Sequence, residues 1–262
     1  MKILIFGATG GTGRQLVEQA LAQGHTVTAF ARDPAKVIAK HANLRVAQGN
    51  MLQTASIEAA VAGQDAVLSA LGIRIPVLAW VAITIACQLV HHVVPLGRAA
   101  NLAIAIGGPV LAVLILFRKT TALSDGTRNI VQAMEKMAET EKMEKTEKLG
   151  AKRFVCESSL GVGDSKWRLG LLFNLLVIPL FLRNVFADKA RQEEIIRQSS
   201  LEWVIVRPTA LTNGPRTGTY RTGSDIGHWL RPTKISRADV ADFMLKQLTD
   251  STYLRKSTGV AY

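Results

Sequence analysis

Cysteine and histidine are scarce in this chain of 262 residues, which contains two cysteines and five histidines. Cys87 lies in a long apolar run and Cys156 in a predicted strand, so the pair lacks the spacing of a disulfide framework or a metal site. The histidines are scattered, and the adjacent His91 and His92 lack the further ligands of a metal centre. We therefore expect reduced thiols in a cytoplasmic setting and a function that requires no metal.

Acidic residues are outnumbered, with 20 Asp and Glu against 32 Lys and Arg, and the net charge is +12. This balance favours anionic partners, which include phosphate groups, acidic membrane lipid, anionic substrates and nucleic acid. The basic residues do not form a recognition module with base-stacking aromatics, and only 6% of the chain is aromatic. Nucleic acid is therefore not expected as a partner.

The chain starts with a short apolar run, Lys2 to Phe6, that ends at Gly7. This run is too short for the hydrophobic region of a signal peptide and predicts a strand. Helical spacing from Arg14 to Gln23 and a β-branched run from Thr26 to Phe30 follow. The sequence therefore predicts a βαβ unit at its start.

Apolar and amphipathic segments continue to alternate along the chain. The further predicted strands are Leu44 to Ala47, Ala66 to Ala70, Arg153 to Cys156 and Trp203 to Val206, and the predicted helices include Thr127 to Met134 and Ala190 to Arg197. The alternating Glu and Lys residues from Met134 to Lys148 predict a solvated extension of the first of these helices. We predict a single α/β domain over residues 1–262, a doubly wound Rossmann fold with a parallel sheet between helices.

Two nearly uncharged runs, Ile75 to Val94 and Ala99 to Phe117, interrupt this alternation after the fourth predicted strand. Each approaches the roughly 20 residues that cross a bilayer core, and Arg74 and Arg118 flank the two ends of the pair. The pair predicts an apolar helical hairpin that anchors a cytoplasmic domain in a membrane. The alternative is a buried lid packed on the domain. A third run, Leu169 to Leu182, is shorter and predicts an interfacial or pocket-covering helix.

The segment GATGGTGR places Gly7, Gly10 and Gly13 between the first strand and the first helix. Glycines at these positions let the backbone turn tightly and approach a pyrophosphate, whose charge the helix N-terminus stabilises. The position of the loop within a βαβ unit favours dinucleotide binding over a purely structural turn.

The second strand ends in FARDP, which places Arg32 where the adenosine ribose of a dinucleotide is expected. An acidic residue there would bind the ribose hydroxyls of NAD, whereas a guanidinium binds the additional phosphate of NADP. Arg32, with Arg14 nearby, therefore favours NADP, and the alternative is a solvated residue at the end of a strand. Asp33 is a candidate helix cap with Pro34 at the first helical position.

Seven motifs occur in order along the chain: GATGGTG, FARDP, AVLSALG, GTRNIVQAM, KRFVCESSLGVGDS, LEWVIVRPTALTNGP and ISRADVADFML. With them the sequence resembles the atypical short-chain dehydrogenase/reductases that bind NAD(P)H, in particular the biliverdin-IXβ/flavin reductase branch. The resemblance covers nearly the whole chain except Ile75 to Phe117 and the charged stretch from Ala138 to Lys148. It specifies fold and cofactor, but not substrate.

The resemblance implies a set of site residues, which runs along one edge of the predicted sheet. The implied pyrophosphate loop is Gly7, Thr9, Gly10, Thr12 and Gly13, the adenine contacts are Asn50 and Met51, and the further cofactor contacts are Ala70, Leu71, Gly72 and Pro208. Arg32 stands at the position that selects NADP. Ser158 stands where the reductase branch has a serine close to the nicotinamide and the acceptor.

The catalytic residues depart from the wider family. Many short-chain dehydrogenases use a tyrosine four residues before a lysine, because the lysine lowers the pKa of the phenol. Here Val185 stands four residues before Lys189, and Glu193 stands where the biliverdin reductase has a histidine. The candidate catalytic residues are therefore Ser158, Lys189 and Glu193, of which the last two are one helical turn apart and form either an ion pair or an exposed helix pair.

These features predict an enzyme that transfers hydride from NADPH to a planar conjugated acceptor such as a flavin, a quinone or a bilin. In this interpretation the protein supplies mainly geometry, and Ser158 orients the acceptor or a water. The alternative is a membrane-tethered NADP-binding sensor or assembly factor without turnover, which the missing tyrosine favours.

Overall fold

The computed structural model describes residues 1–72, 121–143, 151–169, 182–227 and 233–262, together with Leu175 and Ile178. The predicted hairpin from Ile75 to Phe117 lies outside these residues, as do most of the run from Leu169 to Leu182 and the end of the charged stretch at Lys148. Within the described ranges, no helix combines the length and the apolar character needed to cross a bilayer.

Ten strands form the β-structure of the described residues. They are β1 (Lys2–Phe6), β2 (Thr26–Ala31), β3 (Leu44–Gln48), β4 (Ala66–Ser69), β5 (Arg153–Glu157), β6 (Glu202–Pro208), β7 (Ala210–Thr212), β8 (Arg221–Gly223), β9 (Lys234–Ser236) and β10 (Lys256–Ala261). Eight of them build one sheet in the order β3-β2-β1-β4-β5-β6-β10-β8, while β7 and β9 pair separately. Within the large sheet only β8 is antiparallel to its neighbour. The predicted Rossmann-like α/β fold is therefore confirmed.

Five α-helices accompany the strands in the described part of the chain. They are α1 (Gly11–Ala22), α2 (Thr54–Val61), α3 (Ala122–Met143), α4 (Arg183–Gln198) and α5 (Arg237–Lys246). Two short 3₁₀ helices, Pro34–Lys36 and Gly163–Leu169, follow β2 and β5.

Three helices begin earlier than their sequence patterns predict, and α4 is one of them, since it starts at Arg183 and not at Ala190. Helix α1 starts inside the glycine run, because the amide of Arg14 already donates to the carbonyl oxygen of Gly10 at 2.9 Å. Helix α3 starts at Ala122, since the buried carboxylate of Asp188 accepts from the amides of Leu123 at 3.0 Å and Ser124 at 3.2 Å. That cap comes from α4, so no local pattern near α3 could predict it.

The sheet buries both faces, and alternate residues of β1 point to opposite sides. Ile3 and Ile5 belong to the core under α1 and α5, whereas Leu4 and Phe6 belong to the core under α2, α3 and α4. This arrangement explains why β1 is a continuous apolar run and does not alternate with polar residues.

The strand order reverses at β1, which pairs with β2 on one side and with β4 on the other. At such a switch point, the connections leave the carboxyl ends of neighbouring strands in opposite directions and open a crevice. The loop after β1, the residues after β4 and the end of β5 all lie along this edge of the sheet.

Candidate functional site

The loop after β1 has room only for glycine at two positions. Gly7 has a φ of +77°, and a Cβ atom on it would collide with the carbonyl group of Ala70. A Cβ atom on Gly13 would collide with the carbonyl group of Gly7, whose oxygen also accepts from the amide of Gly10 at 2.9 Å. The turn, the end of β4 and the start of α1 are thus in backbone contact. This close packing leaves the first amides of α1 at the edge of the sheet, where they can bind an anion.

A cleft of about 450 Å³ opens beside this loop. It collects eight of the residues predicted to bind the cofactor, which are Gly7, Thr9, Gly10, Arg32, Met51, Ala70, Leu71 and Gly72. The structure adds Phe6, Phe30, Lys36, Ala122 and Leu123 to its walls. The cleft therefore offers glycine backbone at one end and two cations at the other.

Arg32 and Lys36 are the two cations of this cleft, and both are exposed. Asp33 caps the 3₁₀ helix by accepting from the amide of Ala35 at 3.2 Å, which confirms the predicted cap, and it pairs with Lys36 at 3.1 Å. Among the described residues, no carboxylate lies within ion-pair distance of Arg32. Sequence reasoning missed Lys36, although one 3₁₀ turn after Asp33 brings it back to the same side.

Five predicted cofactor residues do not line this cleft, and one of them, Pro208, is buried at the end of β6. Arg14 lines another cavity between α1 and residues 37–41, and the hydroxyl of Thr12 donates to Oε1 of Glu157 at 3.1 Å beneath the loop. Asn50 closes a turn, since its Oδ1 accepts from the amide of Leu52 at 3.1 Å. Gly13 acts through its backbone contact with Gly7.

The three candidate catalytic residues lie together at the end of β5. Oγ of Ser158 donates to Oε1 of Glu193 at 2.6 Å, and Nζ of Lys189 donates to the carbonyl oxygen of Ser158 at 3.1 Å. Ser158 is 4% exposed and Glu193 is 1% exposed. The alternative of an exposed helix pair is therefore wrong for Glu193.

Glu193 pairs with two arginines and not with Lys189. Nε and Nη2 of Arg207 lie 3.0 and 2.6 Å from its two oxygens, and Nη2 of Arg197 lies 2.9 Å from Oε2. Arg207 also donates to Asp164 at 2.7 Å, and this bond is the main reason that the pKa of Asp164 is lowered. Sequence reasoning missed both partners: Arg207 comes from another element, whereas Arg197 lies one helical turn from Glu193, and that spacing could have revealed it. The network joins α4, β6 and the loop after β5.

Two further ionisable groups of β5 are buried. Burial raises the pKa of the Glu157 carboxyl, against the opposing effects of the Lys189 ammonium and the hydrogen bond from Thr12. Burial also raises the pKa of the free Cys156 thiol to about 12. Cys156 is therefore a neutral thiol and not a nucleophile at neutral pH.

A second cavity of about 420 Å³ lies beyond the end of β6. Thr209, Ala210 and Leu211 line it. The buried Pro208 holds the loop after β5, because its carbonyl oxygen accepts from the amide of Leu160 at 3.0 Å. Phe186, Leu169 and Leu182 add apolar walls, and Ser159, Arg168, Thr233 and Arg237 add polar ones. Ser159 and not Ser158 is the serine that faces this cavity.

Comparisons with known proteins agree with this geometry. The model of a family described as NAD(P)H-binding matches residues 7–251. A chloroplast protein of Arabidopsis thaliana, itself uncharacterized, is 26% identical over 224 residues, which are 83% of this chain and 61% of that protein. A photosystem II assembly factor of Synechocystis is 37% identical over 71 residues, which are 27% of this chain and 22% of that protein. The chain thus spans less than two thirds of either curated relative.

Solved structures show the same fold. A short-chain dehydrogenase/reductase of Veillonella parvula in complex with NADP aligns with a TM-score of 0.68 at 16% identity, over 100% of this chain and 94% of the other. The anaerobilin reductase ChuY of Escherichia coli aligns with a TM-score of 0.65 at 18% identity, over 99% of this chain and 96% of the other. These likenesses establish the Rossmann-like architecture.

The Glu193 network generates a test of stability. Glu193→Ala should lower the free energy of unfolding by about 3 to 5 kcal/mol, because it leaves Arg207 buried without its bidentate partner. Glu194→Ala is the matched control: this neighbouring carboxylate is exposed and accepts from Gln198 on the same helix, so its loss should cost less than about 1 kcal/mol. Urea unfolding followed by circular dichroism measures both, and equal losses would contradict the anchoring role of Glu193.

Proposed function

This chain belongs to the NAD(P)H-binding family, and we propose that it is an oxidoreductase that transfers hydride from NADPH to a planar conjugated acceptor such as a flavin, a quinone or a bilin. The observation that carries the proposal is the pair of neighbouring openings at one edge of the sheet. One opening has the glycine loop and two cations, and the other has apolar walls.

The residues of the first cleft fit a dinucleotide. Gly7 and Gly13 stand where any Cβ atom would collide with backbone, so the loop keeps the close approach that a pyrophosphate needs. Arg32 lies in the same cleft with its guanidinium free of carboxylate partners among the described residues. Bound there, NADPH would supply the hydride, and the chain would supply binding and orientation.

The second opening supports the acceptor assignment. Phe186 and Leu211 present flat and apolar surface to it, which suits a conjugated ring system. Val185 replaces the tyrosine that protonates a carbonyl in many short-chain dehydrogenases. An acceptor that takes its proton from solvent fits this chain better than an aliphatic ketone does.

Arg32 generates a prediction for cofactor choice. Wild-type protein should bind NADPH more tightly than NADH, and Arg32→Ala should weaken NADPH by about 1.5 kcal/mol while leaving NADH nearly unchanged, because a charge-assisted bond to the additional phosphate is lost. Arg45→Ala removes another exposed arginine, from β3 and outside the cleft, and serves as the control. Dissociation constants from cofactor fluorescence decide the matter; equal weakening of both cofactors by Arg32→Ala would overturn the assignment.

Ser158 generates a prediction for turnover. Its proton goes to Glu193, which leaves the oxygen lone pairs to accept from a water or from the acceptor. Ser158→Ala should therefore lower kcat by about tenfold or more and change the dissociation constant of NADPH less. Ser159→Ala is the comparison, since Ser159 faces the second cavity. If only Ser159→Ala lowers kcat, the adjacent serine orients the acceptor and Ser158 has a structural role.

A non-catalytic NADP-binding sensor or assembly factor is the second candidate, and the valine at position 185 favours it. Steady-state NADPH oxidation with a panel of flavins, quinones and bilins separates the two. Tight NADPH binding without oxidation by any of them would favour the sensor.

We also propose that residues 75–117 tether the protein to a membrane. The chain leaves the described part at Gly72 and returns at Thr121, and both Gly72 and Ala122 line the cofactor cleft. A segment inserted at this point would hold the active site near the lipid surface. Full-length protein should resist extraction by high salt and alkaline carbonate, whereas a variant with a short polar linker in place of Ile75 to Phe117 should not sediment with membranes. Release of the full-length protein by either wash would reject insertion.

A further inference from the structure

The cavity beyond β6 contains two polar groups whose hydrogen-bonding capacity is unused. Among the residues that the structure describes, Nη1 of Arg168 and Oγ1 of Thr209 are buried and have no hydrogen-bond partner. Both residues line this cavity. An unsatisfied buried polar group costs about 1 to 3 kcal/mol, and more when it is charged. A ligand that bonds both groups would recover that cost.

The charge of Arg168 defines part of that ligand. A guanidinium is protonated at any physiological pH and donates without accepting, so its partner must be an acceptor and is best an anion. The neighbouring walls include Phe186 and Leu211, which give the same space an apolar surface. A partner with a charged end and a flat apolar body matches both features.

Other residues are placed to bind the phosphates of a dinucleotide. The glycine loop, Arg32 and Lys36 line the first cleft, whereas Arg168 lines only the second. Arg237 stands between them, since it lines the second cavity and its side chain packs against Gly11 at the start of α1. Nη1 of Arg168 is therefore available to an anionic group on a second ligand.

We propose that Arg168 and Thr209 form an anchor for a carboxylate or phosphate group on the acceptor, so that this enzyme selects anionic planar acceptors over neutral ones. The inference rests on the proposed reductase function and narrows it. Flavin mononucleotide and bilins with free carboxylates satisfy the anchor, and neutral quinones do not.

Matched pairs of probes isolate the anionic group. Flavin mononucleotide and riboflavin differ in a phosphate, and biliverdin and its dimethyl ester differ in two carboxylate charges. Binding is measured by calorimetry with saturating NADP⁺, which cannot donate hydride, so that affinity is separated from turnover. At least one anionic member should bind about tenfold or more tightly than its neutral partner; which pair shows the preference distinguishes phosphate from carboxylate.

Arg168→Gln should abolish that preference by weakening the anionic member alone. Lys166→Gln is the matched control, because Lys166 precedes it by two residues, is exposed and packs over Trp167. An unchanged dissociation constant for NADP⁺ verifies that each variant is folded.

Equal affinity within both pairs, no binding of either anionic probe, or a preference that survives Arg168→Gln would overturn the anchor. A preference that Arg168→Gln abolishes, in a protein that never oxidises NADPH, would instead keep the anchor and reject the reductase function.

Discussion

The buried carboxylate of Glu193 is the interaction on which the geometry of this site depends. It accepts from Ser158 at the end of β5, from Arg207 in β6 and from Arg197 on its own helix. A buried charge persists only when its neighbours replace the hydration that it has lost, and here three side chains do so. Arg207 also donates to Asp164, and this bond holds the 3₁₀ helix that contains both Asp164 and Arg168. The end of β5 and the wall of the second cavity are thus positioned by one network.

The contacts of Glu193 limit the kind of chemistry that the site can support. Both oxygens of Glu193 are engaged by arginines, and the carboxylate also accepts from Ser158, so this side chain is held in place. Burial raises the pKa of the Cys156 thiol to about 12, so this thiol is not suited to exchange protons at neutral pH. Such a fixed arrangement favours group transfer between two bound ligands. The ligands then carry the reactivity, and the protein fixes the distance between them.

Local patterns predicted the local structure and little beyond it. The apolar run Lys2–Phe6 was confirmed as β1, and Asp33 caps the short helix that Pro34 begins, as predicted. Both features were predictable because hydrophobic periodicity and helix capping depend on only a few neighbouring residues. The cap that Asp188 supplies to α3 and the bond between Arg207 and Glu193 arise only when distant elements meet. Arg197 is different, because it lies one helical turn from Glu193 and within reach of a local pattern. The sequence predicted that Ser158 lies at the site. It did not predict that Ser159 and not Ser158 faces the second cavity, because successive side chains at the end of a strand point to opposite sides.

Arg32 in the first cleft and Arg168 in the second cavity carry their positive charge in different surroundings. Arg32 is exposed, so its attraction for a phosphate is weakened by water and by salt, whose screening length is about 8 Å at physiological ionic strength. At a separation of about 4 Å, two unit charges attract by about 1 kcal/mol in water and by about 4 kcal/mol near a protein surface. Nη1 of Arg168 is buried beside apolar walls, which reduces screening and raises the cost of leaving it unpaired. Selection among cofactors should therefore be graded and salt-dependent, whereas selection among acceptors should be steep and nearly independent of salt.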